Sequence, residues 1–440
     1  MKHVFYEQEH EDSSLKGKKL LLLGGVRPAC EIVKEAKKMG LEVYVTDYLE
    51  NSPAKKIADK SFMVSATEID DVVELCKEQG INGVITGYVD SLLPYCERIC
   101  AKLNFPFAGN QDNIDICINK EKFKIACEEA GVHVVPWRKL NQYNYQEYLE
   151  KAVFPVVVKP VDNSGSRGVF KCYKREDFIS LCEAALSFSK CKEILVESLM
   201  DANCEFSVYY MISNSKVYLT GMGDRYVNII DDMIAPVGQG MLFPSVHLKT
   251  WIDKMDGNLR EFFARNNMNN GFVFVQGFCI EEEFYIHEIG YRLNGGFSYK
   301  LVEHCSKYSQ VQELIRYAVT GEMRTSELEK SDPAFKELAF ILTIALKPGK
   351  IAEIKGIEEI TKLPGVIEVC QLHDEGEELL SKGTTAQVFA YILCAAKDKT
   401  DLAGTITSVN ENLLVSDEEG NNLVYPLVDP MRIIVNQQFL

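Results

Sequence analysis

The stretch FPVVVKPVDNSGSRGVFKC, residues 154–172, constrains this chain more than any other. An apolar run at 156–158 ends in Lys159, then a turn-rich segment leads to a second apolar run. A lysine closing an apolar strand needs a partner for its ammonium. Gly165 and Gly168 let backbone N–H groups turn toward anionic oxygens, and Ser164 and Ser166 add hydroxyls. Arg167 adds charge. The pattern reads strand, hairpin, strand. A P-loop needs a strand leading into a helix and GxxxxGK[ST], and neither is present. The segment is therefore predicted to be a phosphate-binding hairpin, with Lys159 reaching the α- or β-phosphate.

Two further segments add to this. EILVES, residues 193–198, is a strand ending in an acidic turn, with Glu205 beyond it. Such a hinge can frame a purine and its ribose. FVFVQGFCIEEEFYIHEIGYRLNGG, residues 272–296, reads as two strands joined by an acidic turn. That hairpin can set Gln276 and Glu288 on one face beside a triphosphate. Glu288 is a hard oxygen donor suited to Mg2+, which takes few protein ligands and completes its shell with phosphate oxygens. Arg292 can clamp a transferring phosphoryl group. Gly295 and Gly296 permit close approach of a substrate. HEIGY is not a zinc HExxH motif, since Tyr291 stands at the second His position.

Residues 19–110 alternate short apolar strands with amphipathic helices, the pattern of a parallel sheet covered by helices. Gly24, Gly25 and Asp47 only weakly suggest a dinucleotide fingerprint, because Pro28 and Ala29 stand where later glycines belong. Residues 111–135 read as helical and contain Lys120, Lys122 and Lys124. Two β-rich runs follow at 204–222 and 272–290, then a helical stretch near 306–346, then an α/β or α+β segment at 348–440. Asp224 and Arg225 in GMGDRYVN read equally as substrate contacts or as a surface turn. His304 reads as a structural histidine before a base.

The 440 residues fit two to four domains at roughly 100–200 residues each. A formal charge of -16 disfavours nucleic acid and anionic membranes as partners. The N-terminus is too polar for a signal peptide, and no run approaches the roughly 18–20 apolar residues of a membrane span. The 14 cysteines include no CxxC pair, and reduced, mostly buried thiols of a cytoplasmic protein are expected.

The order of the three segments resembles the ATP-grasp superfamily, which includes biotin carboxylase, carbamoyl-phosphate synthetase, glycinamide ribonucleotide synthetase and bacterial L-amino acid ligases. The resemblance runs from about residue 18 to 321. It implies an α/β and α+β ATP-grasp fold with a Rossmann-like pre-ATP-grasp domain at 1–110. The ATP-grasp domain would span 111–330, its lid about 136–198, and a C-terminal α+β domain 331–440. It implies that Lys120 and Lys159 contact ATP phosphates, Glu197 and Leu199 hold adenine, Glu205 holds ribose, and residues 163–168 form the lid loop. The metal, Mg2+ or Mn2+, would be held by Gln276 and Glu288, and Arg292 and Lys159 would serve catalysis. The residues PGKIAEIKGIEEITKLPGVIEV and GTTAQVFAYIL are similar to the tail of L-amino acid ligases. The implied activity is carboxylate–amine (or thiol) ligation through an acyl phosphate, on small-molecule substrates such as amino acids; the resemblance also allows a homodimer. The rivals are another ATP-grasp reaction, such as carboxylation, and a non-catalytic ATP-binding module. This chain departs from the family at Gln276, commonly Glu, and at Gly290, the middle of the usual ExNxR motif, for which Asn294 is a candidate replacement.

Overall fold

The run KLLLL folds as β1 (Lys19–Leu23), four of its five residues buried because helices cover both faces. The computed structural model describes residues 14–162, 167–228, 237–380 and 385–435. β2 (Glu42–Thr46) and β4 (Gly83–Ile85) flank β1 in parallel, and β3 (Lys60–Phe62) lies outside β2. The helices Ala29–Lys38, Ile69–Gln79 and Leu93–Leu103 connect and cover these strands. Gly40, at φ 84, terminates the first helix as its sequence suggests. A distant helix, Gln310–Thr320, completes this unit. Gln312 donates to Glu35 at 2.7 Å, and a Cβ on Gly83 would lie 2.4 Å from the Ala318 carbonyl oxygen. By contacts the chain divides into two compact units. One comprises the described residues up to Ile114 with Ser309–Thr325, the other Asp115–Tyr308 with Ser326–Leu440.

The second unit holds two antiparallel sheets. The smaller contains β5 (Trp137–Asn141), β6 (Val156–Pro160), β7 (Phe170–Cys172) and β8 (Glu193–Ser198), in the order β5-β8-β6-β7. β6 and β7 pair as the antiparallel hairpin expected from the sequence. Val156, Val158, Ile194 and Val196 pack on Phe178, Cys182 and Ala185 of the helix Phe178–Phe188. Strand alternation then turns Val157, Lys159, Leu195 and Glu197 to the other face.

The larger sheet contains β9 (Glu205–Ser213), β10 (Lys216–Asn228), β11 (Val237–Phe243), β12 (Gly271–Ile280), β13 (Glu283–Gly290) and β14 (Leu338–Ala345). Two short ladders lie beyond: β15 (Gly349–Lys350) with β18 (Glu378–Leu379), and β16 (Glu353–Lys355) with β20 (Leu414–Ser416). β17 (Val366–Gln371) and β19 (Val388–Ala396) rejoin the large sheet, giving β13-β12-β9-β10-β11-β14-β19-β17. Strands of the C-terminal segment thus continue the central sheet. The helical reading of residues 306–346 holds for Gln310–Thr320 and is corrected at its end: LAFILTIA is β14, and an almost unbroken apolar run has no period that separates strand from helix.

Each half of this sheet buries one face. Phe206, Val208, Tyr210, Val273, Val275 and Ile286 pack with Phe123, Trp251, Phe262 and Phe263 from three helices. Phe340, Leu342, Ile344, Ile392 and Cys394 pack with Leu402, Ile406 and Val409. Each such side chain contributes about 1.5–3 kcal/mol when taken from water, which fixes the strand registers. The opposite face carries Ser207, Tyr209, Phe274, Gln276 and Glu288. All cysteines are free thiols. Among the described residues, no helix is long and apolar enough to cross a membrane.

Candidate functional site

Glu197 is the electrostatic centre of the small sheet's polar face. Its side chain is nearly inaccessible, with Lys159 Nζ 2.7 Å from Oε2 and Lys124 Nζ 2.9 Å from Oε1. Burial alone would raise this carboxyl, but the charges of Lys159 and then Lys124 outweigh it and hold the group at about 2. Lys124 has no accessible surface and also donates to the Val135 carbonyl at 3.1 Å. Burial pushes its ammonium down despite Glu197, and Lys159 repels it further. One carboxylate therefore serves two ammonium groups, leaving a net positive charge inside the protein.

Lys120 opens the helix Lys120–Glu129, whose N-cap Asn119 accepts from the N–H groups of Glu121 and Lys122. Its ammonium is lowered first by burial and then by Lys159, while Glu288, Glu197 and Asp162 pull it up. The structure thus brings Lys159, Glu197 and Glu288 within electrostatic reach of Lys120. Lys171, in register with Val157, is buried on the same face of the small sheet. Nothing in the sequence marked it, because a lysine in a short strand carries no spacing signal.

Gln276 and Glu288 are direct cross-strand partners in β12 and β13, so their side chains share a face. Gln276 Nε2 donates to Ser207 Oγ at 3.1 Å, which aims the amide oxygen away from Ser207. Glu288 is half-buried, and among the described residues its oxygens accept no hydrogen bond. No three His, Cys, Asp or Glu side chains among the described residues cluster as a metal cage. One carboxylate and one amide oxygen fit a Mg2+ ion that arrives with phosphate oxygens.

Gly290 is the cross-strand partner of Phe274, and a Cβ there would lie 2.1 Å from the Phe274 ring. The ring occupies the space an Asn at this position would need. The guanidinium of Arg292 lies over the same ring, 5.0 Å from its centroid. Arg292 Nη1 also donates to the Leu293 carbonyl at 2.9 Å. Asn294 accepts from its own turn, at Gly296 N, 2.6 Å away.

The segment expected to frame a purine differs in detail from its sequence reading. The Leu199 N–H donates to the Pro155 carbonyl at 3.2 Å, leaving its carbonyl as the backbone group on offer. Glu205 is buried, accepting from Arg225 Nη1 at 2.5 Å, with His287 Nε2 3.4 Å away. Burial raises its carboxyl, but Arg225 and His287 outweigh that and lower it. Asp224 is not on a surface turn: it is buried in β10 and accepts from Ser245 Oγ and Val246 N. His304 lies 3.0 Å from Glu337, in keeping with a structural histidine. Gly168, at φ 76, abuts Phe188, where a Cβ would meet the Phe188 side chain at 2.7 Å. Ser164, Gly165 and Ser166 lie outside the described residues.

The N-terminal unit uses its acid internally. Asp47 Oδ2 accepts from Gly25 N at 2.6 Å, and Oδ1 from Leu49 N at 2.9 Å. The carboxylate that a dinucleotide fold turns toward a ribose is bound to the glycine turn itself.

Residues 20–107 match a family described as PylC-like, N-terminal domain, and residues 126–228 match the D-ala D-ala ligase C-terminus. A formate-dependent phosphoribosylglycinamide formyltransferase of Prochlorococcus marinus is 26% identical over 195 residues, covering 43% of this chain and 50% of the relative. The Bacillus subtilis enzyme of that name is 25% identical over 206 residues, covering 44% and 51%. The chain spans about half the length of the curated relatives it matches. Among solved structures, the L-amino acid ligase from Bacillus licheniformis superposes with a TM-score of 0.74 at 19% identity, covering 92% of this chain and 99% of that one. The phosphoribosylglycinamide synthetase from Anaerococcus prevotii gives 0.71 at 19%, covering 92% and 100%. The biotin carboxylase domain of Hydrogenobacter thermophilus 2-oxoglutarate carboxylase, in complex with MgADP and bicarbonate, gives 0.73 at 16%, covering 93% and 91%.

Proposed function

We propose that the chain, which shares the ATP-grasp fold of solved ligases and matches the D-ala D-ala ligase C-terminus over residues 126–228, is an ATP-dependent carboxylate–amine ligase working through an acyl phosphate. The observation that carries the proposal is that Lys159 and Glu288 both lie within electrostatic reach of Lys120, with Gln276 the cross-strand partner of Glu288. Such a set suits a triphosphate with one divalent cation. Lys120 and Lys159 bind phosphate oxygens, and Glu197 holds Lys159 in place from behind. Glu288 and Gln276 would hold Mg2+, which would supply neutralisation of negative charge on the phosphates.

In the reaction, a substrate carboxylate oxygen bonds to the γ-phosphorus as the bond to the ADP oxygen breaks. The amine then attacks the acyl carbon, phosphate leaves, and the amine loses a proton to solvent. Little covalent work falls to the protein: Arg292 stabilises the transferring group and the lysines keep it in line. The reading gives residues 163–168, which follow β6 in sequence, the role of shielding the acyl phosphate from water. Catalytic roles accordingly go to Arg292 and Lys159, and nucleotide contacts to Lys120, the hairpin 163–168, Leu199 and the Glu197 and Glu205 region. An amino acid or similar small acid is the proposed substrate, in keeping with the L-amino acid ligase among the solved structures of similar fold. The test is ADP release from Mg-ATP across a pairwise panel of acids and amines. Release that requires both partners supports ligation, and release with ATP and bicarbonate alone would favour carboxylation.

A further inference from the structure

We propose that Arg225 and Tyr391 form a seat for a carboxylate of the substrate, on the same face of the large sheet as Gln276 and Glu288. The proposal rests on the ligase reading above for its substrate, and Arg225 joins the seat to Glu205, the proposed ribose contact.

The register places the two residues on one face, three strands apart. Asp224 pairs with Phe206, and Phe206 belongs to the helix-covered core, so the next residue, Arg225, turns to the open face with Glu205. Arg225 pairs with Met241, Met241 with Ile341, and Ile341 with Leu393. Tyr391, two residues from Leu393 on the same strand, therefore shares that face. Their charges sense each other: Arg225 is raised first by Glu205 and further by Tyr391 and Tyr209.

Both residues have donors to spare among the described residues. Arg225 gives Nη1 to Glu205, while Nε and Nη2 make no hydrogen bond. That edge runs beside Gly238, where a Cβ would stand 3.5 Å from Nη2, so the glycine keeps the fork uncovered. The Tyr391 hydroxyl likewise makes no hydrogen bond. Burial lifts its phenol to about 12 against the pull of Arg225, so it is a donor at neutral pH.

The seat also adjoins the turn that follows Arg292. The Tyr391 ring lies 5.6 Å, centroid to centroid, from Phe297, and a Cβ on Gly296 would lie 3.9 Å from it. A ligand on Arg225 and Tyr391 would thus lie beside the Gly295–Gly296 turn. The charge count selects its class. Glu205 already cancels one positive charge, so a planar monoanion meeting a two-donor guanidinium edge and one phenol fits better than a dianionic phosphate.

The experiment reads binding and turnover separately. Binding of 13C-carboxyl-labelled acetate, glycine and glutamate is followed by NMR with a non-hydrolysable ATP analogue present, beside inorganic phosphate as a competitor. Wild type should bind at least one acid, and Arg225→Gln should weaken it by about tenfold or more, the range for a lost charge-assisted pair. Arg225→Gln leaves Glu205 buried without its arginine and risks misfolding. Tyr391→Phe therefore serves as the second variant, with a loss of about three- to tenfold expected for one hydrogen bond. Affinity for the ATP analogue should stay unchanged in Tyr391→Phe, and acid binding by Arg225→Gln is read at saturating analogue, because Arg225 also pairs with Glu205. Equal acid affinity in Tyr391→Phe and in folded Arg225→Gln, no acid binding in wild type, or displacement by phosphate alone would overturn the seat. Acid binding lost in the variants, with no acid-dependent ADP release by wild type, keeps the seat and removes the ligase reading. Turnover with an unchanged acid KM in both variants removes the seat and keeps the ligase.

Discussion

Arg292 rests over the Phe274 ring, its guanidinium carbon 5.0 Å from the centroid, and the same ring fills the space that a side chain at position 290 would enter. One departure from the family pattern is thereby tied to the arginine: Gly290 is required by Phe274, and Phe274 holds Arg292. Phe274→Leu should lower kcat by about two- to thirtyfold, from a cation–π contact of about 0.5–2 kcal/mol, and leave ATP affinity nearly unchanged. Gly290→Asn alone should destabilise the fold, whereas Gly290→Asn with Phe274→Ala should recover much of the loss. Thermal melts of the two singles and the double test this, and additive losses would contradict the shared space.

The Glu197 site predicts an order of stabilities. Glu197→Gln leaves two buried ammonium groups facing each other, and breaking a buried ion pair this way costs about 3–5 kcal/mol. Lys124→Met leaves a balanced Lys159–Glu197 pair and should cost clearly less. Chemical denaturation of both variants decides it; a larger loss for Lys124→Met would contradict the charge count.

The lowered carboxyl of Glu197 also sets an acid limit. A carboxylate held below its unfolded value of 4.5 contributes stability that is present above that value and lost as pH falls toward about 2. Denaturation midpoints between pH 5 and about 2.5 should fall with a steeper slope in the wild type than in Glu197→Gln. Parallel slopes would exclude this carboxylate as the cause.

Lys120 predicts proton uptake on nucleotide binding. Its ammonium lies below the ordinary 10.5 in the free protein, and a bound polyanion must raise it. ATP affinity should therefore be constant at low pH and decline as pH rises through the free-protein value. Calorimetry of a non-hydrolysable analogue at alkaline pH, in buffers of different ionisation enthalpy, should show uptake that disappears in Lys120→Met.

The parts of this molecule that were legible in its sequence are those with local patterns. The β1 and β2 runs, the hairpin around Lys159 and the strands bearing Gln276 and Glu288 all follow from strand-length apolar segments and turn residues. What stayed hidden depends on residues distant in the chain. Lys124 read as one of three helical lysines, and only tertiary packing makes it the fully buried partner of Glu197. Gly290 read as a lost ligand, because the Phe274 ring that needs the space is its partner across the ladder. The return of Gln310–Thr320 to the N-terminal unit, and of β14, β17 and β19 to the central sheet, likewise has no local signal.

The central claim is that this chain forms an acyl phosphate, and trapping that species tests it most directly. The protein is given ATP, Mg2+, candidate acids and hydroxylamine in place of the amine. Hydroxamate should form with at least one acid, in proportion to ADP, and should vanish in Glu288→Gln, which leaves no carboxylate among the proposed metal ligands. A preparation that binds ATP, yet gives neither hydroxamate nor acid-dependent ADP across a broad panel, would contradict the account and leave a nucleotide-binding module.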